Sequence, residues 1–333
     1  MATIIDVAKK AGVSFKTVSR VLNGEDNVRP VTRKKVLAAV EALDYKINSA
    51  ARALRTKDPR LIALVFNNAS RAYGTDLQLG AMIGCRDAGI GLFVHTQTDR
   101  KSLEALAKRG DVMGFLIGAP QADDETVVEI LSTEDKPLVR IATEQSMDRS
   151  FNISVDEKAA AQDATNHLIK LGHQRIALLC GPESSSSAQL RKEGFLEAML
   201  NANLPIKEDW LEHGTFDFES GMRIGTDYLD REDKPTAIFA CNDDMAAGVI
   251  AAAYRLNLRL PEDLSIVGFD DSPIATVVYP PLTTIRQTTQ GMAEQGVKLI
   301  ADRHKNLMEA NTANFRADHE LIIRGSTCFK SET

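Results

Sequence analysis

Apolar positions recur with the period of a helix at the start of the chain. They are Ile5, Ala8, Val13, Val18 and Val21. This spacing predicts two short helices, over residues 5–11 and 15–22, whose apolar faces share one buried seam. Between them, Gly12 is expected to end the first helix in the left-handed conformation, and Ser14 to cap the second. Helices joined by so short a turn are typical of a helix-turn-helix, although an ordinary helical hairpin in a larger domain has the same pattern.

From residue 61 onward, short apolar runs alternate with helical patterns. The apolar runs cover residues 61–66, 92–96, 114–118, 138–142, 175–180, 237–241 and 265–269. Helical patterns fill residues 159–171, 189–201 and 244–256. This alternation predicts βαβ units and therefore an α/β core of doubly wound parallel sheets. Similar patterns at residues 60–70 and 174–184 predict two such lobes. In open sheets of this kind ligands bind beyond the carboxyl ends of the strands, here between the lobes.

The start of the chain and the rest of the chain carry net charges of opposite sign. Residues 1–60 carry 13 Lys and Arg against 6 Asp and Glu, whereas residues 61–333 carry 27 against 40. A basic end on an acidic chain indicates a polyanionic partner for that end, and nucleic acid is favoured over a merely solvated basic face. Lys16, Thr17 and Arg20 are predicted to project from the second helix, which reads the major groove in a helix-turn-helix. Other cations are placed to contact phosphates: Arg29, Arg33, Lys34 and Lys35.

The length of the chain, its cysteines and its motifs exclude several classes of protein. The 333 residues are enough for a small head and two lobes with cores. No apolar stretch reaches the roughly 20 residues of a membrane span, and Lys9 and Lys10 interrupt any signal-peptide run. The four cysteines are scattered without metal-ligand spacing, as in cytoplasmic proteins. Dinucleotide loops, phosphate loops, nucleophile elbows and HExxH motifs are lacking, so we expect no enzyme, cofactor or metal.

Three segments near the start of the chain carry a resemblance to a known family: residues 3–23, the helical pattern of residues 32–43, and residues 45–54. They resemble the headpiece of the LacI/GalR family of bacterial transcription regulators, with Thr32 as the expected N-cap of the third helix. The resemblance implies a DNA-binding domain at residues 1–45. The implied DNA-binding residues are Thr3, Ser14, Phe15, Lys16, Thr17, Arg20, Asn23, Arg29, Ala51 and Leu54. Phe15, Lys16 and Arg20 are the main candidates for base contacts.

Residues 46–60 resemble the family's hinge, which becomes helical on operator DNA. So short a peptide does not hold a helix alone in water, which fits folding on binding. The resemblance implies that Leu54 wedges into the minor groove beside the small Ala51 and kinks the duplex. Ile47 stands where the family usually has proline, a departure that makes the entry to the hinge less rigid.

The resemblance extends through the core, residues 61–333, and implies the fold of periplasmic sugar-binding proteins. In that fold the chain crosses between the lobes three times, here near residues 156–162, 286–290 and 318–322. The expected N-lobe contains residues 61–158 and 288–320. The expected C-lobe contains residues 159–287 and 321–333.

Polar and aromatic residues after the predicted strands are the candidates for a ligand site in the cleft. By resemblance, the effector-binding residues are Ser187, Arg191, Phe216, Asn242 and Asp270. Asn68 and Ser70 are added as candidates because they follow the predicted strand at residues 61–66, at the end that faces the cleft. Structural alternatives remain: the serines as a polar turn, Asn242 as a helix cap, and Phe216 as a core residue. Arg191 offers donors for vicinal hydroxyls or for a carboxylate. Ala142 and Thr143 stand where many sugar-binding relatives carry an aspartate, which speaks against a standard hexose contact there.

Together these features predict a cytoplasmic, homodimeric repressor whose two headpieces bind a pseudo-palindromic operator in double-stranded DNA. A small sugar or sugar derivative between the lobes would release it from the operator. Two alternatives stay open. One is a regulator that needs a purine-type co-repressor, and the other is a solute-binding module without DNA affinity.

Overall fold

The computed structural model describes residues 3–22, 28–43, 60–143, 150–305 and 313–330. The chain divides into two compact units, Met1–Asp58 and Pro59–Thr333. Asn23, Ala51 and Leu54 lie outside the described residues, as does the predicted hinge up to residue 59.

The first unit begins with the two predicted helices and their turn. Helix α1 (Ile4–Ala11) starts at Thr3, whose hydroxyl accepts from the Asp6 N–H at 3.3 Å while the Asp6 carboxylate accepts from the Thr3 N–H at 2.8 Å. Gly12, with φ 66°, ends the helix in the left-handed region, which a residue without Cβ adopts at little cost. Ser14 Oγ accepts from the Thr17 N–H at 3.2 Å as helix α2 (Phe15–Leu22) begins. The predicted turn and cap are confirmed.

The buried seam of this unit differs from the prediction at one position. Val7 packs with Ala8, Val18 and Val21, whereas Ile5 is 57% exposed. The reason is that a third helix also packs against α1, so two partners rather than one decide which of its faces is buried.

The third helix, α3 (Pro30–Ala42), starts earlier than predicted. Arg29 occupies the N-cap position and Pro30 the first helical position, so the expected capping role of Thr32 is wrong. Proline suits this position because its φ is already helical and its missing N–H would have had no partner in the helix.

The first sheet of the second unit has six strands. They are β1 (Leu61–Val65), β2 (Gly91–His95), β3 (Val112–Ile117), β4 (Leu138–Ile141), β5 (Phe151–Val155) and β11 (Ala313–Ala317). All neighbours are parallel, in the spatial order β11-β5-β4-β3-β1-β2. Ile62 and Leu64 enter the core on one face, while Ala63 and Val65 enter the core on the other. The sheet is therefore covered on both sides, as parallel sheets require.

The second sheet also has six strands. They are β6 (Ile176–Cys180), β7 (Leu211–His213), β8 (Ala237–Ala240), β9 (Ser265–Asp270), β10 (Thr283–Gln287) and β12 (His319–Ile322). Their spatial order is β12-β10-β9-β8-β6-β7, and only the pairing of β12 with β10 is antiparallel.

Helices cover both sheets. Those on the first sheet are α4 (Arg71–Ala88), α5 (Arg100–Ala107), α6 (Glu125–Leu131) and α12 (Thr289–His304). Those on the second are α7 (Glu157–Lys170), α8 (Ser186–Asn201), α9 (Phe218–Leu229), α10 (Asp243–Arg255) and α11 (Ile274–Val277). Two 3-10 turns, Gln121–Asp123 and Glu208–Trp210, complete the described elements.

The chain passes between the two sheets three times. It leaves the first sheet after β5 at Asp156, returns after β10 at Thr288, and leaves again between β11 and β12 at Asp318. We call the layers around the first sheet the N-lobe and those around the second the C-lobe. The predicted fold class, a helical headpiece with an α/β core of two parallel-sheet lobes, is confirmed.

Candidate functional site

The loops at the carboxyl ends of the strands enclose a cavity of about 40 Å³ between the two lobes. Its lining residues are Asn68, Ser70, Tyr73, Ala119, Ala142, Ser185, Ser187, Arg191, Phe216, Asn242, Asp270 and Gln287. Every residue predicted to bind an effector is among them. They come together because parallel strands end at the same edge of each sheet, and the two edges face each other.

Arg191 is held rigidly on the C-lobe side of the cavity. It lies in α8, is 4% exposed, and donates from Nε to Glu157 Oε2 at 2.7 Å. Its Nη1 donates to the carbonyl of Cys241 at 2.5 Å, and its guanidinium carbon lies 3.6 Å from the centre of the Phe269 ring. The positive charge is thus paired, and Nη2 is the guanidinium nitrogen without a partner among the described residues.

Asp270 ends β9 in the same wall of the cavity. Its Oδ1 accepts from Gln287 Nε2 at 2.6 Å, and its backbone has φ 112°. Burial raises the pKa of Asp270 to about 7, although Arg191 and the hydrogen bond from Gln287 lower it. The carboxyl group therefore changes charge close to neutral pH.

Asn242 and Phe216 are joined by a hydrogen bond. Asn242 Oδ1 accepts from the Met245 N–H at 2.9 Å and so caps α10, while its Nδ2 donates to the Phe216 carbonyl at 3.0 Å. The capping alternative for Asn242 is therefore correct, and one Nδ2 hydrogen remains for a ligand. Phe216 has φ 61° and packs against Gly181, where a Cβ would lie 2.2 Å from the ring. Any larger residue at position 181 would therefore require the ring to shift.

The neighbouring acids serve the structure of the C-lobe. Asp243 is buried in α10 and accepts from the Ser272 N–H at 2.7 Å and from Thr284 Oγ1 at 2.6 Å. Asp271 forms ion pairs with Arg286 at 2.7 Å and Arg324 at 2.6 Å. These ion pairs give Asp271 a structural role.

On the N-lobe side, predicted site residues organise their own loop. Asn68 Nδ2 donates to the Ala119 carbonyl at 2.9 Å, and Asn68 Oδ1 accepts from the Ser70 N–H at 2.8 Å. Ser70 Oγ accepts from the Tyr73 N–H at 3.3 Å and caps α4. The N-lobe therefore presents to the cavity polar groups whose hydrogen bonds are largely made within the lobe.

Three serines connect the lobes, and we call them the interlobe serines: Ser70, Ser186 and Ser187. Ser70 Oγ donates to Asp244 Oδ2 at 3.2 Å, and Ser187 Oγ donates to the Ala142 carbonyl at 3.0 Å. Ser186 binds the Asp123 carboxylate twice, through its hydroxyl at 2.8 Å and its N–H at 3.1 Å. These bonds hold the cleft in the closed arrangement described here.

Sequence reasoning missed several residues of the site. Tyr73 follows Ser70 by three positions on a helix, so it shares that face of α4 and could have been found from spacing. Gln287 ends a strand, so the rule that found Asp270 could also have found it. Glu157 has no such signal, because its pairing with Arg191 joins α7 to α8 across 34 residues.

In the first unit, the predicted DNA-binding residues occupy two kinds of position. Phe15, Lys16 and Arg20 are exposed on α2, and Phe15 is 50% exposed. Thr3 and Ser14 cap helices, as described above, and Thr17 is half-buried beside Ser14. Arg29 is exposed at the start of α3.

Comparison with known proteins follows the same division of the chain. Residues 3–48 match the model of the bacterial regulatory proteins of the lacI family, and residues 165–327 match the periplasmic binding protein-like domain. A transcriptional repressor named PurR from Haemophilus influenzae strain PittEE is 35% identical, over 98% of this chain and 98% of its own. The chain belongs to the lacI family.

Solved structures of the family share its fold. The lac repressor dimer bound to operator and the anti-inducer ONPF has a TM-score of 0.86 and 28% identity, over 98% of this chain and 99% of that chain. The regulator CelR in complex with cellobiose has a TM-score of 0.74 and 27% identity, over 98% and 100% of the two chains. This lacI-family chain is accordingly a DNA-binding transcriptional repressor and not an enzyme.

Among the described residues, no helix combines the length and the apolar composition that a membrane span needs. Within the same part of the chain, no group of three or more His, Cys, Asp or Glu side chains is arranged to hold a metal ion.

Proposed function

We propose that this repressor binds a small sugar or sugar derivative between its lobes, and that the ligand releases it from its operator. The observation that carries the proposal is the cavity itself, because residues predicted from the sequence alone converge on it from both lobes. Support for a sugar comes from the structure of CelR in complex with cellobiose. The flat apolar face of Phe216 is also suited to the C–H face of a sugar ring.

Ligand entry requires the lobes to separate. Ligand sites in proteins usually measure about 300–1,000 Å³, whereas the closed cleft holds about 40 Å³. An effector therefore binds an opened form, breaks the bonds of the interlobe serines, and restores closure around itself. By thermodynamic linkage, a ligand that changes the affinity for operator DNA by some factor has its own affinity changed by operator DNA by the same factor.

For the DNA-binding end we propose a homodimer that binds a pseudo-palindromic operator, with one headpiece on each half-site. Residues 1–45 would read DNA through Phe15, Lys16 and Arg20, with further contacts from Thr3, Ser14, Thr17, Asn23 and Arg29. The hinge at residues 46–60 would place Leu54 and Ala51 in the minor groove. The core, residues 61–333, would supply both effector binding and dimerisation.

An apolar surface on the C-lobe supports the homodimer. Val277 and Tyr279 are 80% and 79% exposed, and Tyr254 donates from its hydroxyl to the Tyr279 carbonyl at 2.8 Å. Large apolar side chains gathered at one exposed place mark a protein interface. We propose this surface as part of the contact with the second copy of the chain.

A second candidate is a regulator that needs a purine-type co-repressor. It is kept because the 35%-identical relative is a repressor named PurR. The two candidates predict opposite signs, since a co-repressor raises operator affinity and an inducer lowers it. Anisotropy of a labelled operator fragment, titrated with protein with and without cellobiose or hypoxanthine, separates them.

Leu54→Ala tests the hinge separately from the effector site. We expect operator affinity to fall by about tenfold or more, because the wedge no longer offsets the cost of bending DNA. Ligand affinity, measured by calorimetry, should stay within about twofold. Unchanged operator affinity would show that Leu54 is not a wedge. Binding without any dependence on salt would contradict DNA binding as a whole, because phosphate contacts release counterions.

A further inference from the structure

We propose that the cavity selects an uncharged or cationic ligand rich in hydrogen-bond donors, and that it rejects phosphorylated and carboxylated ligands. The inference rests on the effector site proposed above and narrows its chemistry. The sequence leaves two kinds of ligand group open as partners of Arg191, hydroxyl groups or a carboxylate, and the proposal decides between them.

The first argument is the balance of charge. Among the lining residues, the acidic and basic side chains are Arg191 and Asp270. The Arg191 charge is already matched by Glu157, with both side chains buried and 2.7 Å apart. Asp270 is therefore the charge left over on the cavity wall, partly ionised near neutral pH because burial raises its pKa. Asp244 adds a second carboxylate behind Ser70. An anion entering here would meet carboxylates without an unmatched cation, and a phosphate carries roughly 1.5 to 2 negative charges.

The second argument is independent and concerns an unsatisfied acceptor. Gln287 lines the cavity, is 7% exposed, and has an Oε1 atom without a hydrogen-bond partner among the described residues. Buried polar atoms are nearly always paired, so an acceptor left open in the wall of a ligand cavity calls for a donor. Hydroxyl and amino groups supply such donors, whereas phosphate and carboxylate oxygens only accept.

The experiment uses the full-length protein and two pools of probes. Small metabolites that include sugars, amino sugars, purine bases, sugar phosphates and nucleotides are separated by anion exchange. One pool holds neutral and cationic compounds, and the other holds anions. Thermal shift is measured with each pool, since a ligand of the folded state raises Tm. We expect the first pool to raise Tm and the second to leave it unchanged.

A charge-inverting variant sharpens the test. In Glu157→Gln combined with Asp270→Asn, the Arg191 charge is unmatched, so the response should invert and the anionic pool should now raise Tm. Asp163→Asn is the matched control, because Asp163 is an exposed acid on the same helix as Glu157 and lies outside the cavity lining. It should behave as the unaltered protein.

The outcomes are distinguishable. A Tm rise with the anionic pool in the unaltered protein would overturn the charge inference while leaving the effector site in place. If neither pool raises Tm while operator binding persists, the effector site itself fails, and this inference with it. Should the double variant not fold, the comparison of pools on the unaltered protein still decides.

Discussion

The two lobes contribute differently to the cleft they share. The C-lobe supplies Arg191, Asp270 and Asn242. These side chains bring to the cavity a charge or a hydrogen-bond donor that is still free for a ligand. The N-lobe supplies Asn68 and Ser70, whose polar groups mostly satisfy their own loop. The difference indicates a division of labour: the C-lobe recognises the ligand and the N-lobe closes over it. Substitutions in the C-lobe should thus cost affinity, and those in the N-lobe should change closure.

The largest effect is expected from Arg191→Ala. Ligand affinity should fall by about 100-fold or more, since a buried charged hydrogen-bonding group is lost. Stability should also fall by about 3–5 kcal/mol, because Glu157 would remain buried and unpaired. Calorimetry and urea unfolding measure the two losses.

Two controls separate these effects. Arg191→Met with Glu157→Met removes both buried charges and should recover stability but not ligand affinity. Arg223→Ala removes an exposed arginine of α9 and should change neither quantity. If Arg191→Ala lowers ligand affinity by less than about threefold, the C-lobe does not recognise the ligand through this residue.

Asp270→Asn is expected to have the next effect, about tenfold in ligand affinity. It also has a signature in pH. The folded-state pKa of Asp270 is raised to about 7, against about 3.9 in an unfolded chain. Between these values the folded state holds a proton that the unfolded chain has lost, so this group makes stability fall as pH rises from about 4 through 7.

The substituted protein should therefore be more stable than the original at pH 8, by about 4 kcal/mol, and equal to it near pH 4. Urea midpoints at the two pH values measure the difference. Equal stability at both would mean that Asp270 has the same pKa in the folded and unfolded states, and that burial does not raise it.

The smallest effect is expected on the N-lobe side, from Asp123→Ala. Asp123 does not line the cavity, but it accepts two hydrogen bonds from Ser186 across the cleft. Their loss should favour the open form and change ligand affinity by about 2–10-fold, mostly through faster dissociation. Stopped-flow release and small-angle scattering would detect this, with Glu125→Ala as an exposed neighbouring control. An effect as large as that of Arg191→Ala would break the proposed division of labour.

Much of this site was predictable because it follows a rule of topology. Asn68 and Asn242 lie just beyond strands, Asp270 ends a strand, and Ser187 lies in the first turn of the helix that follows one. The alternation of elements places these strand ends together. The same rule predicted the fold, since buried parallel strands appear in the sequence as uninterrupted apolar runs.

The failures have a common cause as well. Ile5 was assigned to the seam, and Thr32 to a cap, from local pattern alone, whereas packing by α3 and the fixed φ of Pro30 decide both. Glu157 and Gln287 matter through partners distant in sequence, at Arg191 and Asp270. Pairings of that kind depend on how helices and strands from separate segments meet, which no local spacing encodes.

The crossings of the chain between the lobes impose an order on biosynthesis. The N-lobe begins at β1, yet its helix α12 and its edge strand β11 come from residues 289–304 and 313–317. Most domains fold as they leave the ribosome, with the N-terminal domain first. Here the lobe whose synthesis starts first cannot be completed until nearly the whole chain has been made. A nascent chain ending after β10 would hold five strands of the C-lobe in sequence, and an N-lobe sheet still open at its β5 edge.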